Sequence, residues 1–175
     1  MAGKDVVPKS VTWGLFVAWA VHDAEELVTM PGWVGRSRQR LTTRLPWVPA
    51  RVWDRLDVSR THATVAIGLM GGVLAAASFA GARTGGRSGL YQAVLTGFGW
   101  HSLTHVAQAV ATGGYAPGVV TAPTVVAPFS LWARRKLRAA GIDRDGGAWS
   151  LVLLPVVLAA VHGAASRIEG HSRAG

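Results

Sequence analysis

Apolar residues along this chain gather in five long runs, at 11–30, 63–82, 89–112, 119–132 and 148–168. Basic or Gly/Pro-rich stretches separate them. A helix needs about 20 residues to cross a bilayer, and four of the runs have that length. The fourth run, 119–132, is shorter and carries Pro123 and Pro128, which predict a bend. Trp13 and Trp33 sit near the ends of the first run, as interface anchors do. Gly68 and Gly72 in the second run form a small-xxx-small pair, which lets helices approach closely in lipid. The pattern predicts an all-α, integral membrane helical bundle of about five transmembrane helices in a single domain, 1–175. A signal-peptide reading of the start competes, with Ala18-Trp19-Ala20 as its cleavage signal. The apolar pattern continues beyond Ala20 and favours the span.

Residues 34–60 break the pattern. Seven arginines alternate there with Leu41, Leu45, Trp47, Val48, Val52, Trp53 and Leu56. Such a mixture predicts an amphipathic segment in the head-group plane after the first span, its apolar side dipped into lipid. A basic loop is the plainer alternative. Residues 1–9 are a short polar leader.

Composition narrows the chemistry. Half of the chain is hydrophobic and only 15% is charged. No cysteine is present, which excludes disulfides, thiolate metal sites and cysteine nucleophiles. The formal charge of +9 would suggest nucleic acid in a soluble protein. Here the arginines lie between apolar runs, so anionic membrane lipids are the expected partner, and no nucleic acid. The basic residues divide evenly between the two sides of a five-span bundle. Orientation and oligomeric state stay open.

Against this apolar background the ionisable residues stand out. The first run holds His22, Glu25 and Glu26 in its second half. His62 is near the start of the second run, His101 and His105 are in the second half of the third, and His162 is near the end of the fifth. Read in alternating directions, the four helices bring these residues to one layer. Residues three and four apart share a helix face, so His22, Glu25 and Glu26 are expected to face together, as are His101 and His105. A charge at the centre of a membrane helix costs roughly 2.5–3.5 kcal/mol, so intramembrane ionisable groups are read as functional. Imidazole with carboxylate suits zinc or iron. The expected ligands of one or two divalent metal ions are His22, Glu25, Glu26, His101, His105, His162 and His62. Each also has a plainer role: a neutral carboxyl in a polar cavity, a packed histidine, or an interface residue in the case of His62. His171 in the polar tail reads as solvated. Asp143-Arg144-Asp145-Gly146-Gly147 lacks the later ligands of a calcium loop and reads as a turn.

His22-Asp23-Ala24-Glu25-Glu26 in a first span resembles the signature of the HXXEE-motif family of small bacterial integral membrane proteins. That resemblance implies a multi-span protein of the bacterial plasma membrane and no defined reaction. The His101-x-x-x-His105 pair is also similar, more weakly, to the paired histidines of membrane zinc hydrolases related to alkaline ceramidases. This chain has fewer spans than those enzymes.

Together these features predict a membrane-embedded metal-dependent enzyme acting on a lipophilic small molecule or lipid, with hydrolysis first. The metal would lower the pKa of a bound water towards about 7. Glu25 or Glu26 would act as general base or bridge two ions, and Trp19 and Trp100 would line the substrate pocket. The alternatives are a di-iron oxidoreductase, an isoprenoid cyclase or isomerase, a bis-histidine haem site, a metal or proton carrier, and a partner subunit of a larger complex.

Overall fold

A computed structural model describes residues 7–143 and 147–174. The chain is all-α, with no strand among the described residues. Helix α1 spans Lys9–Thr29, α2 Trp33–Arg44, α3 Ala50–Leu56, α4 Arg60–Arg83 and α5 Gly89–Thr112. A π-helical stretch, Ala122–Val126, leads into α6 at Ala127–Ala139, and α7 spans Gly147–Ala174.

Local chemistry sets these boundaries. Ser59 caps α4 and Ser88 caps α5, each accepting a backbone N–H from three residues ahead, at 3.0 and 3.3 Å. Helix α5 ends at Gly113 with φ 68°. The next N–H, of Gly114, then returns to the Ala109 carbonyl at 3.1 Å. The π-helical stretch falls at Pro123, whose missing N–H interrupts the α ladder. This is the bend expected of the fourth run, and it starts beside the site described below.

Helix α1 lies at the centre. Its Val11, Leu15 and Trp19 are buried against Leu74 and Ala77 of α4, Leu95 and Phe98 of α5, and Leu137 of α6. Tyr91 is fully buried and donates its hydroxyl to the Val11 carbonyl at 2.6 Å, pinning α5 to α1. Helices α1, α4, α5 and α7 enclose a cavity of about 280 Å³.

Residues 34–60 differ from a segment lying wholly on lipid. They form the two helices α2 and α3, and Leu41 and Trp53 turn inward to pack with Trp33, Val34 and Ala116. Trp47 is 73% exposed and Leu56 is exposed. The apolar side of the segment is thus divided between a small core and the outside. Asp143 accepts from Arg134 and Arg138 at 3.1 and 2.8 Å, so it ties down the basic end of α6. Asp145 lies outside the described residues.

Among the described residues one helix, α4, meets the length and hydropathy expected of a membrane span, with mean hydropathy 1.9 over its best window. Helix α1 carries His22, Asp23, Glu25 and Glu26 within its length.

Candidate metal centre

Helix periodicity splits the acidic pair of α1. Positions three and four ahead of His22 lie about 100° apart around the axis, on either side of it. Glu26 and His22 are buried and face α5, where His101 and His105 stand one turn apart. The four residues each offer a ligand atom within 4.8 Å of the others. His105 Nε2 lies 3.2 Å from His22 Nε2, 2.8 Å from His101 Nε2 and 3.5 Å from Glu26 Oε1.

Glu25 points the other way, into the connection after α5. One carboxylate oxygen accepts from the Tyr115 hydroxyl at 2.7 Å and the Val120 N–H at 3.3 Å. The other accepts from the Thr121 N–H at 2.8 Å and the Thr121 hydroxyl at 2.6 Å. Four donors occupy both oxygens, which is the environment of an ionised carboxylate. Glu25 therefore lies outside the cluster, although its spacing from His22 had made it an expected ligand. It organises the loop behind it.

That loop fixes two imidazole tautomers. The Thr121 hydroxyl has one proton and gives it to Glu25. His22 Nδ1, 2.8 Å from the same oxygen, must then carry the hydrogen of that contact. His105 Nδ1 lies 2.7 Å from the Pro117 carbonyl, which can only accept. Both rings hold their proton at Nδ1, so both Nε2 atoms present lone pairs. Those lone pairs face each other across 3.2 Å with no hydrogen between them. His101 has room for its proton at Nδ1, where Thr104 Oγ1 lies 3.4 Å away. Its Nε2 is then a third lone pair aimed at the same point.

Converging lone pairs repel unless a cation sits among them. Two nitrogens bound to a tetrahedral zinc at about 2.0–2.1 Å stand about 3.3 Å apart, close to the His22–His105 spacing of 3.2 Å and wider than the His101–His105 spacing of 2.8 Å. The donor set fits a divalent ion, with Thr121, Glu25 and Pro117 as the outer partners that orient ligand histidines.

The profile described as a protein of unknown function with HXXEE motif matches residues 13–133, well over half of the chain. The chain belongs to that family. No curated protein and no solved structure matches it. In this HXXEE protein the motif is His22, Glu25 and Glu26, and its three members do two jobs. His22 and Glu26 are in the cluster, and Glu25 locks the His22 tautomer through Thr121. The whole arrangement, including His101, His105, Pro117 and Thr121, falls inside the matched region.

His62 and His162 do not reach the cluster. His62 Nε2 lies 2.8 Å from His162 Nδ1, with the rings stacked at 5.2 Å. His62 Nδ1 is 3.7 Å from Glu169, which accepts from Ser59 at 2.7 Å. This second group joins the start of α4 to the end of α7. His162 and Glu169 lie beyond the matched region.

The cavity meets the cluster at Glu26 and His101. Trp19 and Asp23 both line it. Trp100 is 51% exposed and does not line the cavity, so it is no pocket residue. It precedes His101 by one position, and that step turns it to the outer face of α5.

Sequence reading missed Asp23, Pro117, Gly118, Thr121, Tyr115 and Glu169. Asp23 was visible as a further carboxyl inside an apolar run. The Pro117-Gly118 pair marked a tight connection but not its contact with the histidines. A lone Thr121 among valines carries no signal.

Proposed function

We propose that this HXXEE protein is a membrane-embedded metalloenzyme in which His22, His101 and His105 hold one divalent ion, zinc by its donor set, and Glu26 serves as general base. The observation that carries this reading is the 3.2 Å approach of the His22 and His105 Nε2 atoms, with the Nδ1 atoms of both rings engaged by Thr121 and the Pro117 carbonyl. Three histidines with an open fourth position are the ligand set of hydrolytic zinc sites. A metal there supplies Lewis acidity and a water of lowered pKa. Glu26 faces the cavity and lies 3.5 Å from His105, in place to take a proton from such a water. The reaction favoured is hydrolysis of a lipophilic substrate that enters through the cavity. One carboxylate and three imidazoles fit one ion. Glu25, His62 and His162, needed for a second, are engaged elsewhere.

Membrane embedding is supported by the outer surface. Trp13, Val17, Val21 and Val28 are exposed along one face of α1, and Leu103, Val106 and Val110 along α5. Soluble proteins rarely expose contiguous apolar faces of this kind. Many of the polar residues that lower the hydropathy of α1 and α5 point inward, His22, Asp23 and Glu26 on one and Gln92, Thr96, Ser102 and His105 on the other, while Thr104 and Gln108 of α5 are exposed. The α4 window is only 28% buried, leaving its apolar side to lipid.

The test is elemental analysis of protein purified in detergent, for wild type, His101→Ala and Glu26→Gln. The expected result is about one zinc per chain in wild type, little in His101→Ala, and retained zinc without activity in Glu26→Gln. Wild type that is metal-free and cannot be loaded overturns the reading in favour of a partner subunit.

A further inference from the structure

The cavity has a direction. On α1 its lining runs from Trp19 to Met30, on α4 from Leu74 back to Ala63, and on α5 from Leu90 to His101. Each stretch is about 16 Å of helix at 1.5 Å per residue. The helices alternate in direction, so Met30, Ala63 and His101 share one end and Trp19, Leu74 and Leu90 share the other. The first end is polar, with Glu26, His101 and His162, and Asp23 sits one turn inward. The second end is wholly apolar.

Length, volume and charge each limit the occupant. From Glu26 back to Trp19 is about 10 Å of α1, so a chain with its head at Glu26 reaches the Trp19 level in roughly eight carbons. A volume of about 280 Å³ is at the lower edge of small-molecule sites. No lysine or arginine is among the described lining residues. Two carboxyls stand at the polar end, and they offset the charge of any divalent ion bound beside them. A phosphate head would find no surplus positive charge there. A hydroxyl or amine head would find acceptors.

We propose that the cavity binds an alkyl amphiphile of about eight carbons whose head is a neutral or cationic hydrogen-bond donor, placed against Asp23 and Glu26 with the tail towards Trp19. This names the substrate class of the site proposed above and rests on that reading for the reaction, though not for binding.

The experiment uses full-length protein in nanodiscs and an octanol carrying a terminal bromine, which quenches tryptophan fluorescence on contact. Its phosphate monoester and its amine are the comparison ligands, and zinc is measured on the same samples. The expected result is saturable quenching by the alcohol and the amine, at least about tenfold tighter than by the phosphate. Trp19→Phe removes the saturable component. Ala66→Phe, which fills the middle of the cavity, weakens binding by at least about tenfold and retains the wild-type zinc content. Equal affinity for alcohol and phosphate, or quenching that ignores both substitutions, overturns the proposal. Zinc content separates the two readings. Zinc without selective ligand binding leaves the metal site standing and removes this occupant. Selective binding by a protein that takes up no zinc does the reverse.

Discussion

Gly118 stands against the His105 ring so closely that a Cβ on it would lie 2.7 Å from Cε1, and 2.8 Å from Cε1 of His22. The backbone there has φ 78°, which side chains other than glycine's adopt at a cost. The loop carrying Pro117 and Thr121 presses on both histidines because this position has no side chain. Gly118→Ala is therefore expected to move one ring out of the cluster. Backbone strain alone costs about 1–3 kcal/mol. A lower thermal midpoint together with reduced zinc affinity is the expected outcome. A variant with the wild-type midpoint and wild-type zinc content would show that the loop yields freely.

The outer face of α1 gives a test of embedding that is independent of metal. Val17 is 59% exposed near the middle of the helix. In water, Val17→Lys is a surface change worth less than about 0.5 kcal/mol. In lipid the same charge costs roughly 2.5–3.5 kcal/mol. The expected result is a marked loss of the variant from carbonate-washed membranes relative to wild type. Equal recovery of both, or recovery of wild type in the soluble fraction, would sink the membrane reading.

The run lengths predicted most helices within a few residues, because apolar periodicity and Gly/Pro breaks act locally. The third run, 89–112, coincides with α5. The division of residues 34–60 into α2 and α3 was not legible. Whether Trp53 faces lipid or Trp33 depends on which helix covers it, and that is tertiary. The same holds for the site. His22, Glu26, His101 and His105 were legible because polar groups at helical spacing in apolar runs have few places to go. The spacing of Glu25 is as good as that of Glu26. Only the Tyr115–Thr121 connection, with its four donors, shows that Glu25 turns away. His62 and His162 were placed at the right end of the bundle by depth. Depth does not distinguish a ring in the cluster from a ring paired beside it.

That pairing makes a separable prediction. His162→Ala removes the 2.8 Å contact to buried His62 and leaves its Nε2 without this partner. The expected loss is about 1–3 kcal/mol, felt between α4 and α7. Zinc content should stay at the wild-type level. His171 is exposed and bonds the Arg167 carbonyl of its own helix. His171→Ala should change neither quantity, which makes it the control. Loss of zinc in His162→Ala would place that ring among the ligands after all.

The most specific prediction concerns a residue that touches no metal. Glu25 accepts the Thr121 hydroxyl proton at 2.6 Å, and this leaves the Thr121 oxygen to accept from His22 Nδ1 at 2.8 Å. Glu25→Gln keeps the shape of the side chain but replaces one acceptor oxygen by an NH₂ donor. That NH₂ meets a backbone N–H whichever way it turns, Thr121 on one side or Val120 on the other, and where it faces Thr121 the hydroxyl loses its acceptor and becomes an acceptor itself. Its proton then turns to His22 Nδ1. A ring that accepts at Nδ1 carries its hydrogen at Nε2, where it points into the cluster and blocks a ligand position. Removing an outer partner of this kind typically costs 10–100-fold in metal affinity. The expected result is a loss of that size in zinc affinity by chelator competition, with the thermal midpoint of the metal-free protein little changed. Nitrogen NMR of the metal-free variant should show the His22 proton moved from Nδ1 to Nε2. Thr121→Val breaks the same link from the middle and should weaken zinc binding to a similar degree. If Glu25→Gln binds zinc as tightly as wild type, the tautomer is not set through Thr121, and Glu25 serves only to hold the loop.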